Sequence, residues 1–326
     1  AETWARALAR WTDPQPGGDL PDRVRLPILL GGDGDEGRTG RRCLRAPLGV
    51  GSDGAVAVDL VADGPHALVA GTTGAGKSEL LRTWVSALAA RHPPTAVAFV
   101  LLDYKGGSAF DACARLPHVA GVVTDLDAGL GERLLTSLRA EVRARESLLR
   151  AARTGDLRDL DDGPARLVVV VDEFATLAAE LPDFLGALVD VARRGRSLGV
   201  HLILATQRPA GAVNDDIRAN TALRICLRTL DPADSQDVIG SPDAAALPAR
   251  TPGRAWLRTG DGLRLLQVAD SGARDEALTP VTVRTVGSPW PVTTGGTPTD
   301  LERLVDEAVA AWSGFPGPDP VWRPPL

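Results

Sequence analysis

Gly71-Thr72-Thr73-Gly74-Ala75-Gly76-Lys77-Ser78 fits the pattern G-x-x-x-x-G-K-[ST], and its flanks decide the fold. The apolar stretch HALVA at 66–70 leads into it, and KSELLRTWVSALAA at 77–90 leads out with helical spacing. Glycines let the backbone curl so that its N–H groups and the positive end of the following helix face phosphate oxygens. Lys77 then reaches the terminal phosphates of a nucleotide, and Ser78 offers a hydroxyl to Mg2+. Gly71, Thr72, Thr73, Gly74, Ala75, Gly76, Lys77, Ser78 and Glu79 are therefore assigned to nucleotide binding.

Such a loop needs a carboxylate opposite it, and Leu167-Val168-Val169-Val170-Val171-Asp172-Glu173 ends an apolar strand in two acids. Asp172 joins Ser78 as the expected Mg2+ partner and belongs to the cofactor-binding set. Glu173, one residue beyond the strand, is placed to orient and deprotonate the attacking water as general base. Ninety-five positions separate Lys77 from Asp172, enough for at least one intervening strand. That favours a RecA-like core in which the two motif strands are not neighbours in sequence.

Working outward, strands are expected at Ala67 to Ala70, Val97 to Asp103, Gly121 to Thr124, Leu167 to Asp172, His201 to Thr206 and Leu223 to Thr229. Helices are expected from Lys77 to about Ala90, Gly129 to Ala152 and Pro182 to Ser197. On the second, Leu135, Leu138, Val142 and Leu149 form one apolar face. This alternation predicts an α/β, RecA-like P-loop NTPase core, its mainly parallel sheet covered by helices on both faces. Arg254 to Arg258 and Leu263 to Val268 flank the turn signal Asp261-Gly262, predicting a small antiparallel C-terminal addition. The expected domains are a lead-in over 1–45, which includes a short amphipathic stretch at Trp4, Leu8 and Trp11, an ATPase domain over 46–275, and a Pro/Gly/Ser/Thr-rich linker over 276–326 with one helix near 300–312.

The strand at 201–206 ends in Thr206-Gln207-Arg208-Pro209. Ligands of open α/β sheets bind beyond the carboxyl ends of strands, so Thr206 and Gln207 are expected to look toward the γ-phosphate. Gln207 can donate to that phosphate and accept from the attacking water. Asp103-Tyr104-Lys105-Gly106-Gly107 ends another strand with one of only two lysines, either as a partner behind the site or as a loop read by a neighbour. Arg193, Arg194 and Arg196 cluster before the strand at 200. By chemistry alone they read as a solvated cluster at a helix C-terminus. Gly195-Arg196-Ser197-Leu198-Gly199 is formally G-x-S-x-G, but helix precedes and strand follows it, the reverse of a nucleophile elbow.

The 326 residues, 44% hydrophobic and 24% charged, are rich enough in core for a folded chain. No apolar run approaches the ~20 residues of a membrane helix. The formal charge of −6 does not favour a dedicated nucleic-acid module. Cys43, Cys113 and Cys226 lack paired spacing, and His66, His92, His118 and His201 lack H-E-x-x-H spacing. Asp156, Asp159, Asp161 and Asp162 read as a solvated turn. Methionine is absent, so the chain is expected to be a segment of a longer polypeptide.

The stretches GPHALVAGTTGAGKSELLRT, FVLLDYKGG, RLPHVAGVVTDL, VVVVDEFATL, RRGRSLGVHLILATQRP and LRICLRTLDPADSQDVIG resemble the FtsK/SpoIIIE motor family. Within it they are most similar to an ATPase domain of the EccC subunit of actinobacterial type VII secretion. The resemblance implies ATP and Mg2+, tandem or hexameric assembly with neighbouring ATPase domains, secreted helical-hairpin proteins as substrates, and attachment to a membrane complex at the cytoplasmic face of the plasma membrane through parts outside this segment. By position it implies that Arg196 acts in trans, reversing the reading from chemistry alone, with Arg224 as the weaker alternative. Two further readings stay open: a double-stranded DNA translocase of the same fold, and a regulatory domain that holds nucleotide with little turnover.

Overall fold

Every residue of Arg166–Val171 is buried, and the side chains alternate between two separate apolar layers. Val168 and Val170 pack into one layer, Leu167, Val169 and Val171 into the other. An unbroken apolar run therefore suits a strand covered on both faces, where polar alternation would bury unpaired groups. The computed structural model describes residues 20–32, 42–103, 109–124, 128–180, 182–213, 215–274 and 297–318.

In chain order the elements begin with β1 (Val24–Arg25), α1 (Leu26–Gly32), β2 (Arg45–Gly51), β3 (Gly54–Asp59), β4 (Ala67–Ala70), α2 (Lys77–Arg91), β5 (Val97–Leu102) and β6 (Val119–Val123). Then come α3 (Ala128–Ala151), β7 (Arg166–Val171), α4 (Phe174–Glu180), α5 (Pro182–Leu198), β8 (Val200–Thr206) and α6 (Asp215–Asn220). The last are β9 (Leu223–Leu227), α7 (Pro232–Ile239), β10 (Arg254–Thr259), β11 (Gly262–Asp270) and α8 (Asp300–Ala311). One sheet runs β3-β2-β11-β10-β9-β4-β8-β7-β5-β6, with β1 beside β11. From β9 through β6 the pairs are parallel, and β10, β11, β2 and β3 continue the sheet antiparallel. Leu80, Leu81, Trp84 and Leu88 of α2 fill one layer with Leu304, Val305 and Trp312 from the chain's end. Leu135, Leu138 and Val142 of α3 fill the other with Leu188 of α5 and Val238 of α7.

Strands β5 and β6 lie between β4 and β7 in the chain, as the spacing of the two motifs predicts, and in the sheet β8 stands between them. The antiparallel part is larger than the hairpin expected at 254–268. It also takes in β2 and β3, joined through Ser52-Asp53, with Gly54 opening β3 at φ +112°. Pro47 and Gly49, where the register shifts, obscure β2 in the sequence.

Packing crosses both expected domain boundaries. β1 pairs Val24 with Ala269, Arg25 donates to Asp300 at 2.7 and 2.6 Å, and Trp312 Nε1 donates to the Ala89 carbonyl of α2 at 2.9 Å. Asp300 is fully buried, and despite the upward pull of burial its arginine partners Arg25 and Arg303 hold its carboxyl below the usual range. The stretch at Trp4, Leu8 and Trp11, the segment from Tyr104 to Gly107 and the last eight residues lie outside the described residues.

Candidate functional site

β4 ends at Ala70, whose ladder partners are Thr206 on β8 and Cys226 on β9, so the loop that follows leaves the sheet at its carboxyl edge. Two bonds tie its start: Gly71 N donates to Thr206 O at 3.2 Å and Thr72 N to Arg228 O at 3.0 Å. Thr72 Oγ1 donates to the same Arg228 carbonyl at 3.1 Å. Gly76, at φ +101°, starts α2 without a side-chain cap. The first-turn N–H groups thus lack the acceptor that Ser or Asp supplies to most helices, and an anion can take that place.

A Cβ on Gly76 would lie 2.9 Å from the main-chain nitrogen of Gly253, which itself donates to Ala75 O at 2.8 Å. Gly253 is held in turn by Val268 N at 2.8 Å, and Gln267 Nε2 donates to Pro252 O at 2.9 Å. The antiparallel strands therefore prop the phosphate loop from beneath. Gly76→Ala places a side chain in the left-handed region and against backbone that cannot yield. It is expected to lower ATP affinity about tenfold, as measured by nucleotide titration.

Lys77, 4% exposed, donates from Nζ to both the main-chain carbonyl and Oδ1 of Asp172. Ser78 Oγ lies 3.4 Å from Asp172 Oδ2. Two hard oxygen donors thus converge at the foot of the loop, a donor set that fits Mg2+. Glu79 turns away. Its carboxylate accepts from Ser271 N at 2.7 Å, Ser271 Oγ at 2.6 Å, Gly272 N at 2.8 Å and Arg82 at 2.6 Å. Burial pushes its pKa up, but the Ser271 bonds and Arg82 outweigh it and hold the group below its usual value. What Glu79 has left for a nucleotide is its main-chain N–H.

Glu173, 3% exposed, accepts from Thr206 Oγ1 at 2.7 Å and from Gln207 N at 3.3 and 3.1 Å. The Gln207 amide reaches the phosphate loop, its Oε1 accepting from Thr73 Oγ1 at 2.9 Å. Thr206 was expected to look toward the γ-phosphate, but its hydroxyl is buried and turned to Glu173. Beside them opens a cavity of about 690 Å³ lined by Glu173, Thr176, Gln207 and Arg208 among small residues of α4 and the loop after β8. The edge therefore brings together a lysine, two hydroxyls, two carboxylates and an amide around an anion-binding loop.

Arg196 lies elsewhere. It sits in the last turn of α5, before β8 begins, about 20 Å along the strand from Thr206. Arg193 pairs with Asp216 at 2.7 Å and Arg194 with Glu146 at 3.1 Å, whereas Arg196 is exposed with no ion-pair partner among the described residues. It does not reach this chain's own phosphate loop. Arg224 is committed to the carbonyls of Thr221, Arg218 and Val238 at 2.8, 2.8 and 3.4 Å. Ser197 lies in the last turn of α5 with β8 following, the order that excludes a nucleophile elbow. Asp103, buried, accepts from Ala109 N at 3.1 Å. His201 Nδ1 lies 2.9 Å from Pro65 O near the start of β8, and burial, opposed by that bond, lowers its pKa to about 3.

The FtsK/SpoIIIE family model matches residues 34–166 and 162–211. The type VII secretion system protein EssC of Staphylococcus aureus (strain Mu50 / ATCC 700699) is 42% identical over 246 residues, which cover 71% of this chain and 16% of EssC. The chain thus corresponds to about a sixth of that relative's length. The cytoplasmic domain of the Thermomonospora curvata type VII secretion ATPase EccC superposes with a TM-score of 0.78 at 33% identity, covering 93% of this chain and 36% of that one. A T. curvata EccC structure of ATPases 2 and 3, in complex with a signal sequence peptide, gives a TM-score of 0.69 at 27% identity, covering 87% and 50%.

Proposed function

The chain belongs to the FtsK/SpoIIIE family, and on that premise we propose that it is an ATP-binding and hydrolysing motor domain of a type VII secretion translocase, driving export of small helical-hairpin proteins. The observation that carries this reading is the convergence of Lys77, Ser78, Asp172, Glu173 and Gln207 at one carboxyl edge of the sheet.

In this reading the main-chain N–H groups of the loop from Gly71 to Ser78 cradle the phosphates. Lys77 leaves Asp172 for the β- and γ-phosphates, neutralising charge that builds on the transferred group. Ser78 and Asp172 would hold Mg2+, which when bound supplies further charge neutralisation at the phosphates. Glu173 takes a proton from the attacking water as the new P–O bond forms. The bond to the β–γ bridging oxygen breaks and ADP carries away that oxygen's electron pair. Gln207 orients the water and reports the γ-phosphate to the phosphate loop through Thr73.

Arg196 is assigned to a neighbouring domain's site, because its exposed position before β8, with no ion-pair partner among the described residues, suits delivery in trans and forbids action in cis. Residues 46–275 form the ATPase domain, with β1 and α8 docked on it as parts of connectors to neighbouring ATPase domains in a tandem or hexameric array. Membrane attachment, at the cytoplasmic face, belongs to other parts of the parent chain. The signal-peptide complex of the EccC relative supports a protein cargo, and the net charge of −6 weighs against DNA.

Phosphate release is the test, with the chain alone, concentrated, and fused to a hexamer-forming scaffold. Activity is expected to rise with assembly. Arg196→Ala is expected to abolish that rise, about 10³-fold in turnover, while leaving nucleotide binding unchanged. One observation favours a second reading, a domain that holds nucleotide with little turnover: Glu173 already accepts from Thr206 and Gln207. Tight ATP binding with no phosphate release in any arrangement would establish it.

A further inference from the structure

Thr206 closes a strand whose same-face residues, Leu202 and Leu204, are apolar, and it is 0% exposed. A valine would fill that place at lower desolvation cost, so the hydroxyl calls for a partner that uses it. Its acceptor side is occupied by Arg208 N at 3.0 Å. Its proton is therefore directed at Glu173 Oε1, 2.7 Å away. A hydroxyl donating to a carboxylate makes a strong, charge-assisted bond, and Gln207 N adds contacts to both oxygens. Two consecutive residues of β8 and its loop thus fix the Glu173 carboxylate. The same Gln207 is tied through its side chain to Thr73 of the phosphate loop.

We propose that Thr206 is a positioning residue that holds the Glu173 carboxylate, and that Gln207 couples this hold to the phosphate loop. The inference rests on the reading of Glu173 as general base. The Thr73–Gln207 bond keeps Gln207 against the loop and its N–H against Glu173. A bound γ-phosphate competes for the Thr73 hydroxyl, releases the Gln207 amide toward the water, and leaves Thr206 as the fixed point about which Glu173 is aimed. Thr206 makes no contact with nucleotide in this scheme, so its loss is felt in turnover and not in affinity.

The experiment compares Thr206→Val, Thr206→Ser, Glu173→Gln and Thr206→Val combined with Glu173→Gln in the assembly that releases phosphate. Binding of a fluorescent ATP analogue is measured on the same samples. Thr206→Val is expected to lower kcat about 10- to 100-fold with nucleotide affinity held within about twofold. Thr206→Ser, which keeps the donor, is expected to return kcat to within about threefold of the unsubstituted protein, and the double variant to fall no lower than Glu173→Gln alone. Unchanged turnover in Thr206→Val, a parallel loss of affinity and turnover, or a Thr206→Ser protein as slow as Thr206→Val overturns the inference. If these occur while Glu173→Gln is inactive, only the role of Thr206 is lost. A fully active Glu173→Gln protein, or an unsubstituted protein without turnover in every arrangement, removes the general-base reading and the inference with it.

Discussion

Glu173→Gln is expected to bind ATP as tightly as the unsubstituted protein and to release phosphate about 10²- to 10⁴-fold more slowly. The two side chains have nearly the same shape, and the Gln carbonyl can still accept from Thr206 Oγ1, so the buried pocket of Glu173 is kept. What is lost is an oxygen able to take the proton of the attacking water. The new amide nitrogen also meets a main-chain donor, Gln207 N, so the loop after β8 gives way locally. Lys77, Ser78 and the loop N–H groups are untouched, which is why affinity is preserved. Equilibrium binding of a fluorescent ATP analogue and single-turnover phosphate release on one sample separate the two effects. Wild-type turnover would remove Glu173 from the chemistry.

Lys77→Ala has the opposite signature, a loss of nucleotide itself. The ammonium is buried at the foot of the loop, where it makes a charge-assisted pair with Asp172. Without it the β- and γ-phosphates lose their direct cationic partner, and ATP affinity is expected to fall at least about 100-fold. Asp172 also loses the partner that offsets its partial burial. The nucleotide-free protein is therefore expected to be less stable by about 3 kcal/mol, visible as a lower Cm with unchanged m-value in urea. Loss of affinity without loss of stability would mean that the Lys77–Asp172 pair contributes nothing to the resting fold. Retained affinity would place the phosphates elsewhere.

Much of the core was legible from local pattern. The strands expected from Ala67 onward agree with the observed ones to within two residues at each end, because runs such as VVVVD combine complete burial with a polar stop. The helices from Gly129 and Pro182 were readable for the same kind of reason, an apolar face repeating every three or four residues, and the helix from Lys77 from the glycine-rich loop that opens it. Pro47 and Gly49 hid β2, since neither favours a strand interior, and only the approach of Gly49 to the Gln267 carbonyl explains a glycine there. The flanks deceived in a different way. Two residues of β1 and the helix ending at Trp312 carry little local signal of docking, yet they pack on β11 and α2.

The sequence by itself determined the chemistry at the phosphate loop. Glycine at positions 71, 74 and 76, lysine at 77, a hydroxyl at 78 and paired acids at 172 and 173 act through backbone conformation and side-chain type, which travel with the residues. The tertiary structure alone decided who holds whom: Thr206 the Glu173 carboxylate, Ser271 the Glu79 carboxylate and Gly253 the floor of the loop, with Arg196 left before the start of β8. Those partners are set by strand order and register, which bring residues 33 to 192 positions apart into contact. Order and register follow from packing two faces of one sheet at once, and no local window of the chain contains that information.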